Sequence, residues 1–402
     1  MEALACRVAA RGNKEGGSVT TLRPHRNNFD FLRCMAAIMV IYGHGWSLSG
    51  AGASGLWGVP FARVGLDVFF SISGYLVTGS WERAPRLGRF LANRSLRIFP
   101  GLMACVVLTA FVLGPLVTVL PVADYLRDGR TWGFLRNIAL YQQLRLPGVF
   151  EHLHEPGAVN GSLWSLLPEF LCYLTVPALS LLPRRGRLSA LAVGGFGCGA
   201  LGLWLFEGYG GQPFVFYGAD VKYMLVQVPF FFVGGAFRLL ESRGDGFYRA
   251  DLALLCFTLN YGVSSWLDWG CIPLQWLTTP YMVITFGRLS APLLRDVSRW
   301  GDCSYGLYLY AFPMQQLILE RWPGNPYPIW TCVALTAPLA FLSWHLVEGP
   351  ALRLKFSARG GAAPRRPRRV RFTVQEAGEP SSAAATAPPT PGSASPRPSP
   401  SS

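Results

Sequence analysis

Charged side chains are scarce in this 402-residue sequence: they make up 14% of it, whereas a typical soluble domain has about 25%. Hydrophobic residues make up 51%, and long apolar runs recur along most of the chain. This composition excludes a set of soluble domains. It predicts an all-α fold, a polytopic bundle of membrane-spanning helices.

Acidic residues are fewer than basic ones, 22 against 36, and the formal net charge is +14. Most of the basic residues are arginines, which concentrate in short segments between the apolar runs and in the C-terminal tail. This distribution is typical of a membrane protein whose basic segments set its orientation in the bilayer, and it does not indicate a nucleic-acid partner. The sequence leaves the oligomeric state undefined.

Paired cysteines and a cleavable signal are also lacking. The nine cysteines occur singly, most of them inside apolar runs, so the sequence predicts neither a disulfide framework nor a metal site. We also expect no bound cofactor. The first 24 residues are polar and lead into a full-length apolar run, so we expect no secretory signal peptide.

Ten apolar runs predict about ten transmembrane helices. They cover roughly 28–49, 62–81, 98–120, 161–182, 188–206, 222–240, 251–267, 272–290, 303–320 and 328–347. With ten spans, the arginine-rich short segments all fall on one side, which the positive-inside rule makes cytoplasmic. We therefore expect a multi-pass protein of the bacterial inner membrane with both termini in the cytoplasm.

Three regions follow from this pattern. Residues 1–27 are a polar, basic cytoplasmic leader, and residues 28–356 form the membrane domain. Residues 357–402 begin with arginines and continue with proline, serine and alanine. This tail has too few large apolar side chains to order itself, so we expect it to be disordered.

Two ionisable residues occupy the first span, Arg33 near its start and His44 near its far end. Eleven residues of helix rise about 16 Å and turn to within roughly 20° of three full turns, so both side chains share one face. Ionisable residues inside a membrane helix indicate a functional site by default. The alternative is an interfacial arginine and a histidine packed among helices.

Two carboxylates are candidates for the same site. Asp67, in the second span, is expected at a depth comparable to His44, where it can orient the imidazole or simply cap its helix. Glu169 follows Pro168 in the fourth span. We expect this proline to interrupt the helix and the carboxylate to line a cavity beside the break.

Two further arginines precede the third span. Arg94 and Arg97 are three residues apart, hence neighbours on one helical face, and they share a side of the membrane with Arg33. The three guanidinium groups suit phosphate oxygens and predict an anion pocket. They can also be ordinary orientation charges.

An ordered set of motifs resembles one family. After the arginine, ten residues and histidine of the first span come GLDVFFSISGYLVT, an Arg-x-x-Arg-Ile-x-Pro segment, NGSLWSLLPEF, CSYGLYLYAFP and a closing Glu-x-Pro. Together, over roughly residues 28–356, they are similar to the bacterial acyltransferase 3 family of integral-membrane polysaccharide O-acyltransferases. The family often has a Glu-Glu pair where Glu169 is followed by Phe170.

The resemblance implies a ten-helix core and an acyl-CoA donor, acetyl-CoA, that enters from the cytoplasm. The acceptor is then a hydroxyl of a surface or exported polysaccharide or of its lipid-linked precursor. By the same resemblance His44 is the catalytic histidine, and Arg33, Arg94 and Arg97 are functional arginines.

The function predicted from the sequence is membrane-bound O-acyl transfer. His44 acts on the acceptor hydroxyl, Asp67 orients it, Glu169 is a third catalytic candidate, and the arginines hold the donor phosphates. The alternatives are a proton-coupled secondary transporter, in which the same carboxylates and histidine relay protons, and a lipid-linked sugar translocator. Transporter folds often contain internal repeats, and the sequence shows no clear repeat of hydropathy.

Overall fold

A computed structural model describes residues 27–357 except 53, 210–211, 242–244, 268–271, 292–293, 295–296 and 326–327. The expectations for the leader, apart from residue 27, and for the tail from residue 358 onward concern residues outside the described part. The described part of the chain is mostly helical.

In the part of the chain that the structure describes, ten long helices form the bundle, and each lies at one of the ten predicted runs. They are α1 Phe29–Leu48, α2 Phe61–Arg83, α3 Leu87–Leu108, α4 Leu166–Leu179, α5 Arg184–Tyr209, α6 Val221–Leu240, α7 Ala250–Trp266, α8 Ile272–Arg288, α9 Ser304–Arg321 and α10 Pro328–Ser343. Helix α3 continues through a π-helical turn, Thr109–Leu113, to Val117, and α10 continues through Trp344–Glu348 to Ser357. Short 3₁₀ turns occupy Asp245–Phe247 and Val297–Trp300.

Seven of these helical segments are long and apolar enough to cross a membrane. Helices α7 and α8 have 17 residues each, about 26 Å, slightly short of a hydrocarbon core of about 30 Å, and α9 is less apolar because of its tyrosines and glutamines. Large apolar side chains face outward, among them Leu254 at 64% and Trp266 at 89% exposure. The chain is a membrane protein, and the count of ten spans stays a prediction.

Helix α3 begins at Leu87, eleven residues before the predicted span. The apolar run defines only the part that suits hydrocarbon, whereas arginine, leucine and alanine before it favour helix equally well. Arg94 and Arg97 therefore lie inside the helix.

The start of α4 also differs from the prediction. A 3₁₀ turn, Gly161–Ser165, precedes the helix, and the side chain of Asn160 accepts a hydrogen bond from the amide of Ser162, as a cap does. Pro168 lies in the first turn of α4, where its missing N–H leaves no hydrogen bond unmade. The expected helix interruption at Pro168 is therefore wrong.

The long segment 121–160 contains two short helices, Val122–Arg127 and Gly129–Gly133, and a 3₁₀ turn, Phe134–Ala139. Tyr125 is buried in it and donates a hydrogen bond to the carbonyl of Ala110, and this burial raises the pKa of Tyr125 to about 12. Gln316 of α9 donates to the carbonyls of Glu155 and Ala158. These contacts hold the segment against the helix bundle.

Two β-hairpins of the same design each lead directly into a helix. Strands β1 Gly55–Leu56 and β2 Val59–Pro60 precede α2, and strands β3 Val215–Phe216 and β4 Ala219–Asp220 precede α6. The two turn residues of each hairpin, Trp57–Gly58 and Tyr217–Gly218, all have positive φ, as a type I′ turn requires.

Helices α2 and α6 pack against each other through matching residues. A Cβ on Gly74 would overlap the carbonyl of Phe231, and a Cβ on Gly234 would overlap the carbonyl of Ser71. Adding 160 to the numbers of Gly74 and Ser71 gives Gly234 and Phe231, so each contact is the counterpart of the other. Asp67 and Gln227, which are hydrogen-bonded, are also 160 residues apart. Such reciprocity is the signature of an approximate two-fold axis, so the fold contains an internal repeat that the hydropathy pattern does not reveal.

The other helices surround this central pair. Helix α1 packs on α2, α9 and α10, and α5 packs on α6. Helices α4 and α8 each contact both central helices. Helix α9 also packs on α3, so α1, α3 and α9, which carry most of the candidate residues, are neighbours.

Candidate active site

Arg33 and Arg97 converge on one carboxylate. The Nη2 atom of Arg97 donates to Oδ2 of Asp302 at 2.5 Å, and Nη1 of Arg33 lies 4.0 Å from the same oxygen. Arg33 also pairs with Asp30 at 2.9 Å. Asp302 thus bridges helices α1 and α3.

Asp302 lies in the loop before α9, and its Oδ1 accepts hydrogen bonds from the amide and hydroxyl of Ser304. Burial acts to raise the pKa of Asp302, but the charges of Arg97 and Arg33 outweigh it and hold the pKa at about 2. The carboxylate is therefore ionised at neutral pH, and it neutralises part of the arginine charge in the absence of a ligand.

Arg94 lies beside a second carboxylate. Its guanidinium carbon is 5.9 Å from the ring centre of Tyr173, whose hydroxyl donates to Oε1 of Glu169 at 2.5 Å. The hydroxyl of Ser73 donates to the same oxygen at 2.7 Å. The Nε atom of Arg94 is buried and has no partner among the described residues, so this guanidinium keeps a free donor.

The three arginines form one cluster with the two carboxylates. The charges of Arg33, Arg97 and Glu169 all act on Arg94, and Arg97 lies 5.8 Å from the ring centre of Tyr305. We call Arg33, Arg94 and Arg97 the arginine cluster. Asp302 and Glu169 lie within it as counter-charges, and its use as an anion pocket stays a prediction.

One face of α9 connects the arginine cluster to His44. Tyr305, Tyr308 and Phe312 are spaced by three and four residues, so they share a helical face. Tyr305 lies at Arg97, and Phe312 contacts the His44 ring edge-to-face at 5.3 Å. These three rings therefore form a row from the arginine cluster to His44. Along α1, the ends of this row are about 16 Å apart, the rise between Arg33 and His44.

A small cavity lies along this face. Its volume is about 40 Å³, and its walls include Phe69, Ser165, Glu169, Tyr305 and Tyr308. This is room for about one water molecule. The rings of Phe69 and Tyr308, two of its walls, contact each other with their centres 6.0 Å apart.

The structure does not bring Asp67 onto His44. The carboxylate of Asp67 is buried and accepts a hydrogen bond from Nε2 of Gln227 at 2.7 Å. The His44 ring has no hydrogen-bond partner among the residues that the structure describes. The arginines and Glu169 thus form one group, His44 lies at the far end of the α9 face, and Asp67 belongs to the contact between α2 and α6.

Comparison with known proteins decides the family. The acyltransferase 3 family model, described as an acyltransferase domain, matches residues 26–347. The chain belongs to the acyltransferase 3 family. It is an acyltransferase.

Curated relatives are similar to this acyltransferase along most of its length. An O-acetyl transferase of Shigella phage Sf6 is 30% identical over 334 residues, which cover 81% of this chain and 96% of that protein. Nodulation protein 10 of Rhizobium leguminosarum bv. viciae is 30% identical, covering 83% and 95%. A peptidoglycan O-acetyltransferase of Listeria monocytogenes is 26% identical, covering 82% of this chain and 56% of that protein. No solved structure matches.

Sequence reasoning assigned no role in this acyltransferase to Ser73 or Tyr173, which hydrogen-bond to Glu169, or to the Phe312 ring that contacts His44. All three lie within apolar runs, where the sequence alone predicts side chains that only pack between helices. Tyr173 carried one signal, because it follows Glu169 by four residues and so shares its helical face. Asp302 precedes the ninth apolar run, and only the structure shows that its partner is Arg97 of α3.

Proposed function

We propose that this acyltransferase moves an acetyl group from acetyl-CoA to a hydroxyl of a surface or exported polysaccharide or of its lipid-linked precursor. The printed names of the phage and Listeria relatives, both O-acetyl transferases, support the acyl group and the type of linkage. The observation that carries the proposal is the α9 face, which has the arginine cluster, with side chains suited to phosphate, at one end and His44 at the other.

The arginine cluster is proposed to hold the phosphates of the donor. Arg94 keeps a buried Nε donor, and forked guanidinium groups bind phosphate oxygens at two points. A bound phosphate competes with Asp302 for Arg97 and Arg33, because the arginines cannot direct the same donor atoms at both groups. Donor binding is therefore expected to weaken the Arg97–Asp302 ion pair.

The pantetheine arm is proposed to follow Tyr305, Tyr308 and Phe312 toward His44. The cavity on this path is too small for the arm, so donor entry requires Phe69 and Tyr308 to separate. Glu169 holds Tyr173, on which Arg94 stacks, and is proposed to fix the position of that arginine.

His44 is proposed to act as the general base. The acceptor oxygen attacks the acyl carbon and forms the new C–O bond while its proton moves to the imidazole, the C–S bond breaks, and the CoA thiolate then takes the proton. Histidine suits this step because its unperturbed pKa lies near neutrality. Asp67 is proposed to position α2 through Gln227, instead of orienting His44 by contact.

The activity is tested with purified protein in lipid nanodiscs, isotope-labelled acetyl-CoA and a glycan acceptor. One acetyl mass added to the acceptor, with release of one free CoA thiol, supports the proposal. The internal repeat of α2 and α6 favours a second candidate, since repeats are common in transporters. Movement of an unmodified sugar lipid across the bilayer without thiol release would favour translocation instead.

We further propose a bacterial inner-membrane location with both termini in the cytoplasm. The one-sided distribution of arginine-rich short segments supports it. Reporter fusions after residues 90, 186, 243, 296 and 358 should report the cytoplasm, and a fusion after residue 140 the opposite side. One well-expressed fusion on the wrong side would refute the ten-span topology.

A further inference from the structure

A second small cavity lies between the end of α2, the end of α4 and the start of α5. Its walls include Thr78 and Glu82 of α2, Val176 of α4 and Arg187 of α5, and we call it the Arg187 cavity. Its volume is about 20 Å³, which is room for about one water molecule. These helix ends lie next to the arginine-rich short segments, so the cavity is on the side of the bundle that is predicted to face the cytoplasm.

Arg187 is the cationic residue in the wall of this cavity. Its Nε atom is buried and has no hydrogen-bond partner among the described residues, and no described carboxylate lies within ion-pair distance of its guanidinium. A buried donor without a partner is costly, and more so when the group carries a charge. The Arg187 cavity therefore offers a positive charge and an unused donor to an anionic ligand.

Glu82 lines the same cavity without binding Arg187. Its partner is Arg238 of α6, whose Nε atom lies 3.9 Å from Oε2 of Glu82, too far for a hydrogen bond. The Nη1 atom of Arg238 is paired with Glu241 instead. The side chain of Glu82 is 32% exposed, so it can turn into solvent and enlarge the cavity when another anion enters.

The Arg187 cavity lies close to the arginine cluster. On α4, the wall residue Val176 follows Tyr173, on whose ring Arg94 stacks, by three residues, which is about 4.5 Å of helix. On the other side, the wall residue Trp81 contacts Phe90 of α3 with ring centres 5.2 Å apart. Phe90 precedes Arg94 by four residues, so the two share a face of α3 and are about 6 Å apart along it. The cavity and the cluster are therefore about one helical turn apart.

CoA carries two phosphate groups that suit two neighbouring cationic sites. Its pyrophosphate and its 3′-phosphate are attached to the same ribose, so one sugar ring separates them. We propose that the arginine cluster binds the pyrophosphate and that Arg187 binds the 3′-phosphate, which displaces Glu82 from the wall of the cavity. The enzyme then selects CoA over dephospho-CoA, which lacks only this phosphate. The inference rests on the proposed function, since it specifies how the donor of that reaction is recognised.

The test compares the affinities of acetyl-CoA and acetyl-dephospho-CoA for the purified full-length protein in phosphatidylcholine nanodiscs by isothermal titration calorimetry. The wild-type protein should bind acetyl-CoA about 10- to 100-fold more tightly, the range for a charge-assisted contact. Arg187→Gln should remove most of this difference by weakening acetyl-CoA binding alone. Arg185→Gln is the matched control, because it removes the same charge from an exposed residue of α5, and it should keep the difference. Glu82→Gln should strengthen acetyl-CoA binding about two- to fivefold, since the phosphate no longer displaces a paired carboxylate.

Binding of acetyl-dephospho-CoA reports on folding in each variant, because this ligand has no phosphate for Arg187. Equal affinity of the wild-type protein for the two donors would overturn the inference. So would an equal loss for both donors in Arg187→Gln, the result expected if Arg187 is purely structural or binds a lipid headgroup or free phosphate. If Arg187→Gln does not fold, an unchanged ratio of the two affinities in Glu82→Gln would also overturn it.

Acetyl transfer separates this inference from the proposed function. Equal transfer from acetyl-CoA and acetyl-dephospho-CoA would contradict only the role of Arg187. Absence of transfer from acetyl-CoA in the wild-type protein, with no binding of either donor, would instead contradict the proposed function.

Discussion

The sharpest prediction concerns His44. In His44→Gln the side chain keeps hydrogen-bonding capacity but loses the basic nitrogen, so the acceptor proton has no strong base. A positioned base typically contributes about 10²–10⁴ in rate. The His44 ring contacts Phe312 edge-to-face, and no carboxylate among the described residues hydrogen-bonds to it. We therefore expect a loss of about 10² in turnover, at the lower end of that range.

Such a loss corresponds to about 2.7 kcal/mol of transition-state stabilisation. The assay is the initial rate of labelled acetyl transfer by purified variants, with donor affinity measured on the same preparations. Donor affinity should stay at the wild-type value, because the arginine cluster lies about 16 Å away along α1. His345→Gln is the control: this histidine is exposed on the π-helical turn after α10, and its replacement should leave turnover unchanged.

Turnover within about twofold of wild type in His44→Gln would refute the mechanism, since a positioned base typically contributes about 10² or more. Asp67→Asn provides a second readout. Asparagine keeps one acceptor oxygen for Gln227 but replaces the other carboxyl oxygen with an amide donor, which costs about 1 kcal/mol of stability. A lower unfolding temperature with a turnover loss smaller than that of His44→Gln is expected. A loss as large as that of His44→Gln, with stability intact, would show that Asp67 acts directly in catalysis.

Three further predictions concern the donor site, the repeat and the tail. Arg97→Lys should weaken acetyl-CoA binding roughly tenfold although the charge is kept, because a point charge cannot replace the planar fork; wild-type affinity for the donor would make Arg97 an orientation charge. Gly74→Ala should destabilise the protein by about 1–3 kcal/mol, because its Cβ would overlap the carbonyl of Phe231, whereas Gly262→Ala, with open space around it, should be neutral or slightly stabilising in a thermal unfolding assay. Truncation after residue 357 should leave acetyl transfer in membranes near the wild-type level, since the removed sequence has few apolar residues to pack; lost activity at normal protein level would contradict this.

The sequence by itself predicted where the helices lie, because membrane insertion depends on local apolar composition. All ten runs coincide with helices, and the largest error, the start of α3, arose where polar residues continue the helix beyond the apolar run. The sequence also predicted that Arg33, Arg94 and Arg97 lie together, and the structure places them in one cluster; their binding of an anion stays a prediction. Family membership followed from the same motifs.

Only the tertiary structure decided which partners the buried polar groups have. Asp67 and Gln227 are 160 residues apart, and Arg97 and Asp302 are 205 apart; hydropathy carries no information about such pairs. A buried polar group must find a partner wherever the packing of helices provides one. Helix packing in turn depends on close backbone approach at small residues such as Gly74 and Gly234, so the partner of Asp67 is set by the contact between α2 and α6 rather than by its depth in the membrane.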